Sequence, residues 1–266
     1  MRAAVTLLLL VALPIAQAHP ALESRLAKLD AWLAEAPEEP SLYLLRGEAL
    51  SRHGDIDLAE KDFKTALVLG SPGAAHLSLA RHYLRHSAPR EALLHGDRHL
   101  AVGGQHAEIH RLRALALSAL NRPKQALDAW RVFFDSVNDV HPGDYVSAAS
   151  LLAADDRTAA DALLVDAVGR VGNATSLVRM GTDLAVESGD YQAAIAWWKR
   201  LAPAMSENPA WQLELTLLYI QNGETNAARE SLDVANTLME NQRKTKAVRE
   251  LAARWQALAT LLNEPG

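Results

Sequence analysis

Alanine returns in this chain at Ala59, Ala92, Ala126, Ala160, Ala194 and Ala228, at spacings of 33, 34, 34, 34 and 34 residues. A period of this length over six copies is the mark of a repeat architecture, in which one supersecondary unit is stacked on the next. The rest of the frame recurs with it. Twelve residues before each alanine stands Gly47, Ala80, Ala114, Ala148, Thr182 or Thr216, all small. Three residues after each of those comes Leu50, Tyr83, Leu117, Leu151, Ala185 or Tyr219. Two helices that cross closely need small residues at the crossing and larger ones beside it. Each unit therefore reads as a helix pair.

The punctuation agrees. Between the two halves of a unit stand "RHGDID", "ESGDYQ" and "QNGETN", where glycine frees the backbone to end a helix. In "HSAPRE" and "LNRPKQ", Pro89 and Pro123 fall where a second helix would begin, a position that tolerates proline. Pro40, Pro72, Pro142 and Pro209 separate unit from unit. Composition supports the same class: 49% of residues are hydrophobic, only 5% are aromatic, and alanine and leucine dominate.

In this frame the chain resembles the tetratricopeptide repeat (TPR) family, whose small residues at positions 8, 20 and 27 of a 34-residue unit are matched copy by copy. The best copy, "PSLYLLRGEALSRHGDIDLAEKDFKTALVLGSP", carries Tyr43, Gly47, Leu50, Ala59, Phe63 and Ala66 in the family's places. The second and fourth units are weaker: Gly96 and His99 replace an expected large and small residue, and Asp144 stands where an aromatic is usual. The resemblance implies an all-α, right-handed solenoid of about six helix-turn-helix units over 40–240. The units lie near 40–72, 73–106, 107–140, 141–174, 175–208 and 209–242. An amphipathic helix within 19–39 precedes them, and a helix within 243–266 caps the exposed apolar face of the last unit.

The N-terminus reads as an export signal: Arg2, a short apolar run, and Ala16-Gln17-Ala18 as the cleavage motif. The expectation is cleavage after Ala18 and a periplasmic or secreted bacterial protein. With no cysteine, the chain has neither disulfides nor thiolate chemistry, and no lipid-anchor cysteine. A net charge of −5 argues against a nucleic-acid partner. No nucleophile elbow, phosphate-cradling glycine loop or His-Glu-x-x-His stretch occurs, so the expected role is non-catalytic and without a cofactor.

By the same resemblance, the first helix of each unit lines a concave groove. The family's ligand-facing positions, carried over, select Arg52, Arg81, Arg85, Arg111, Leu77, Leu84, Tyr145 and Arg179 as partner-binding residues. Arginine forks suit carboxylates and acidic peptides. The Lys/Asn pattern of the family's clamp for chaperone tails is absent at these positions. The leading expectation is a periplasmic scaffold that holds a peptide or protein partner. An assembly factor for an envelope complex, engaged through its surface, is one alternative. A metal-handling module is the other, because seven of the ten histidines lie within 76–110. The repeat frame places His76, His99 and His110 at one end of the second unit, with His106 in the adjoining linker. Those four are the candidate ligands for a transition metal such as Cu, Zn or Ni. His82 and His86 fall toward the other end.

Overall fold

The computed structural model describes residues 20–240, 242 and 245–263. The expected leader with its cleavage site, His19, and the first residues of the terminal segment (243–244) lie outside the described residues. Among the described residues there are fifteen helices and no strand. They are α1 (Pro20–Glu35), α2 (Pro40–His53), α3 (Ile56–Val68), α4 (Pro72–Arg85), α5 (Pro89–Ala101), α6 (Glu108–Ala119), α7 (Pro123–Ser136) and α8 (Pro142–Ala153). Then follow α9 (Arg157–Val171), α10 (Thr175–Glu187), α11 (Tyr191–Lys199), the single turn α12 (Ala202–Met205), α13 (Pro209–Gln221), α14 (Thr225–Glu240) and α15 (Lys246–Asn263). None of them is long and apolar enough to cross a membrane. Contacts divide the chain into two compact units, one up to Leu112 and one from Arg113 on, with the division inside α6.

Local chemistry sets the helix boundaries. Pro40, Pro72, Pro89, Pro123, Pro142 and Pro209 each open a helix, where the missing N–H would have had no partner anyway. Side chains cap several starts: Asp156 accepts from the Ala159 amide, Asp190 from that of Ala193, and Asn208 from those of Ala210 and Trp211. The turn inside each pair is equally regular. The amide of residue 55, 88, 122, 190 or 224 donates to the carbonyl five residues back. The residue before it is left-handed, which is the Schellman arrangement. Glycine fills that place at Gly54, Gly189 and Gly223, but Ser87 (φ 58°) and Asn121 (φ 56°) adopt it without glycine. The weak fourth unit departs here too: Asp156 donates to Leu152 only four residues back, and no left-handed residue intervenes.

In the unit that ends at Leu112, the core forms where the frame put small against large. Ala59, Phe63 and Leu79 are wholly buried with Leu50, and Leu26 of α1 leans on them. Phe63 presses on α2 at Gly47. Arg46 ties three helices together. Its guanidinium donates to both oxygens of the buried Asp62 on α3 at 2.7 Å each, and to Asp30 on α1 at 2.7 Å. A two-pronged pair of this kind holds a carboxylate that burial would otherwise penalise.

In the unit that begins at Arg113, aromatic rings carry more of the core. Phe134 stacks on Tyr145 at 4.4 Å and on Trp130 at 5.5 Å between ring centres. Trp198 and Trp211 lie parallel farther along. The close crossing on α10 falls at Gly181, where a Cβ would meet the Trp197 ring at 2.4 Å. The sequence frame had marked its neighbour Thr182. At the end of the chain's described helices, Leu258, Leu251 and Trp255 of α15 pack with Leu213, Leu217 and Ile220 of α13. The Trp255 ring nitrogen donates to the Leu232 carbonyl at 3.0 Å.

Candidate partner-binding face

The first helices of the repeat pairs, α2, α4 and the start of α6, present a charged row in the unit that ends at Leu112. Glu48 on α2, Arg81 on α4 and Glu108 on α6 form its centre. The Arg81 Nε donates to Glu108 at 2.7 Å, a second prong reaches the other oxygen of that carboxylate, and Nη1 donates to Glu48 at 3.3 Å. The Arg81 fork holds the Glu108 carboxyl below its usual range, and Glu108 in turn raises the guanidinium. Arg111, one turn on from Glu108, adds to the same field.

Arg52 and Arg85 flank this row. Arg52 is mostly exposed and reaches Glu48 only at 3.6 Å. Arg85 is exposed and spends one nitrogen on the Ser51 hydroxyl at 2.9 Å. Arg52, Arg81 and Arg111 thus gather around two carboxylates with Arg85 beside them, and Arg52 and Arg85 keep most of their hydrogen-bonding capacity toward solvent. Leu84 lies half-buried beside them.

Two expected contact residues do not belong to such a face. Leu77 is buried in the core with Ala80, Ile109 and Leu112. Tyr145 is 1% exposed and stacked on Phe134. Both occupy the fifth position of their units, and that position turns inward here wherever its side chain is apolar. Arg179, at the fifth position of its own unit, stays exposed with its guanidinium 5.5 Å above the Trp198 ring and Asp183 nearby. It belongs to the unit that begins at Arg113 and is described there alone.

Of the histidines within 76–110, His76, His82, His95 and His99 are buried, His86 and His110 are half-buried, and His106 is exposed. The four-histidine metal site does not form. His76 turns instead to His95, Nδ1 to Nδ1 at 3.0 Å, a hydrogen bond that needs one ring to donate and the other to accept. His95 also stacks on Tyr83. Burial, with His76 and Arg98 adding to it, pushes the His95 imidazole down to about 4. His99 shares the expected end of the unit and lies edge-on to His106. Its Nδ1 donates to the Gly73 carbonyl at 2.8 Å, which leaves Nε2 with the lone pair. That nitrogen is walled off by Gly104, where a Cβ would fall 2.2 Å from it. His110 is half-buried on α6. Among the described residues, no three histidine or carboxylate side chains converge as a metal-binding group. The physical reason is that His76 and His99 each spend a ring nitrogen on a neighbouring group, His95 and the Gly73 carbonyl, and that Gly104 closes off the remaining nitrogen of His99.

A second histidine group was placed by the frame but given no role. His82 is wholly buried, with Nδ1 2.9 Å from the Ser51 hydroxyl. His86 bonds the Ser51 carbonyl through Nε2 at 3.0 Å.

Comparison with solved structures decides the fold. The C-terminal part of a TPR repeat-containing protein from Cytophaga hutchinsonii matches over 87% of this chain and 94% of its own, at 12% identity and a TM-score of 0.65. A tetratricopeptide repeat protein from Parabacteroides merdae matches over 88% and 92%, at 16% identity and a TM-score of 0.55. The fold is the tetratricopeptide-repeat solenoid. PilW, described as a widely conserved type IV pilus biogenesis factor, is similar over 80% of this chain and 98% of its own, at 15% identity and a TM-score of 0.53. No family model matches the chain, and no curated protein does.

Proposed function

We propose that this chain is an exported, periplasmic TPR scaffold, non-catalytic, which binds an acidic peptide or protein segment along the first helices of its repeat pairs. The observation that carries this reading is the face of α2, α4 and α6, where Arg81 is held between Glu48 and Glu108 while Arg52 stays mostly exposed and Arg85, exposed, bonds the Ser51 hydroxyl. Arg81 is committed to the two glutamates and fixes the row. Arg52 and Arg85 remain as anchors for a partner's carboxylates, with Leu84 offering apolar contact. The N-terminal Arg2, apolar run and Ala16-Gln17-Ala18 motif support export.

The test is binding of a labelled glutamate- and aspartate-rich peptide to the purified full-length protein. Each lost charge-assisted hydrogen bond is worth roughly 1.5–3 kcal/mol. Arg52→Glu with Arg85→Glu should therefore weaken binding by about a hundredfold or more at unchanged helicity. Binding that persists in the double variant would refute the assignment. An assembly role in an envelope complex is a second reading, favoured by the likeness to the pilus biogenesis factor. It predicts that capture of a complex from periplasmic extract survives the same double substitution.

A further inference from the structure

Ser51 joins the C-terminal turns of α2 and α4 through three bonds, and two of them go to histidines. Its hydroxyl pairs with His82 Nδ1 at 2.9 Å and accepts from Arg85 at 2.9 Å, while its carbonyl accepts from His86 Nε2 at 3.0 Å. The His82 ring is wholly buried, edge-on to Phe63 and Tyr83, with the His86 ring centre 4.9 Å away. Its Nε2 finds no hydrogen-bond partner among the described residues.

That geometry accommodates a neutral imidazole and opposes a charged one. A donor on Nδ1 serves Ser51 and leaves a bare lone pair on Nε2 among the rings. A second proton would be an N–H without an acceptor, and its charge would sit beside Arg85 and His86. The facing groups do not cancel this. From α2 comes Glu48, already bound to Arg81, and from α3 comes Glu60, paired with Lys64; both favour the charged form only weakly against burial. On α4 itself, His86 and Arg85 oppose it. From α5, His95 stands behind Tyr83 and is kept neutral by its own burial.

We propose that Ser51, His82 and His86 form a proton-released latch between the C-terminal turns of α2 and α4. The joint is closed while His82 is neutral and opens as acid charges it. Because the ring takes its second proton only when water reaches it, closure is fully supported above the pH of an ordinary imidazole and is lost as pH falls below it. An imidazole of ordinary pKa about 6.5 that is protonated only in the open state raises the open population roughly tenfold between pH 7.5 and 5.5.

Amide hydrogen exchange of the full-length protein, corrected for the intrinsic pH dependence of exchange, tests this. Residues 48–53 and 81–86 should lose protection about tenfold between those pH values. α10 and α13 should not, since the unit that begins at Arg113 has one histidine, the exposed His141. His82→Gln should remove the pH dependence. An equal loss in α10 and α13, or a pH dependence retained in His82→Gln, would overturn the latch. Should His82→Gln fail to fold, a nuclear magnetic resonance titration of the unaltered protein decides. The His82 ring must then titrate well below the ordinary imidazole value of about 6.5, and a midpoint at that value refutes the proposal.

Discussion

Gly47 is the position at which the packing of this repeat is most open to a single-atom test. Phe63 is wholly buried, and its ring lies so close to α2 that a Cβ built on Gly47 would fall 2.6 Å from Cε1 and 2.9 Å from Cδ1. A ring held on all sides cannot swing away, so Gly47→Ala must push the helices apart. Overpacking of this kind costs typically about 1–3 kcal/mol. Alanine is the better helix former by about 1 kcal/mol, which offsets part of that. The net expectation is a loss of about 1–2 kcal/mol, read as a lower urea midpoint for the unit that ends at Leu112. Phe63→Leu alone leaves a cavity and costs stability by itself. In the double variant Gly47→Ala/Phe63→Leu, however, the added methyl fills the space the ring vacated. The two changes should then sum to less than their separate costs, with a coupling of roughly 1 kcal/mol. Urea melts followed by far-ultraviolet circular dichroism on the four proteins close the cycle. A neutral or stabilising Gly47→Ala, or strict additivity, would show that the small residue is not there for the ring.

The remaining expectations concern charge and turns. Arg46→Ala strands the carboxylate of Asp62, which is 4% exposed, and should cost about 3–5 kcal/mol, whereas Arg46→Ala with Asp62→Leu should recover much of it; denaturant midpoints decide. His95, with its imidazole pushed down to about 4, binds its proton more readily unfolded than folded. Its contribution is therefore complete above the ordinary pKa of about 6.5 and should fall by about 2 kcal/mol by pH 5, measurable as a lower midpoint, a drop that His95→Phe should reduce by that amount. Ser87→Gly relieves a left-handed serine and should stabilise by about 0.5–1 kcal/mol, whereas Gly54→Ala, at φ 103°, should destabilise.

The period of 34 made the helix pairs legible because it is written in side-chain volume. Gly47 against Phe63 and Ala59 at the crossing need no partner beyond their own unit to be recognised. The turns were legible for the same reason, since a left-handed residue demands glycine or a substitute. Ser87 and Asn121 were not visible as left-handed, because only the five-residue hydrogen bond from the next amide reveals them. The arginines of the candidate face were legible as a cluster from position alone, but not their pairing. Arg81 turned out to be held by Glu48 and Glu108 across two helix interfaces, a pairing that only the packed helices decide.

Faces were the weakest inference. One position along a helix rotates a side chain by about 100 degrees, so a residue at the edge of a face goes inward or outward according to its neighbours. Leu77 and Tyr145 went inward and Arg179 outward from the same place in the frame. Thr182 and Gly181 differ by one residue, and it is Gly181 that meets Trp197. The histidines show the limit most plainly. Their clustering within 76–110 promised a metal site, and the repeat frame sorted them into two ends. Only the packed helices decided that His76 meets His95, that His99 faces Gly104, and that His82 hangs on Ser51. Periodicity is a local property that each segment carries with it. The partner of a polar atom is fixed by which helix lies against it, and that contact exists only once the chain has folded.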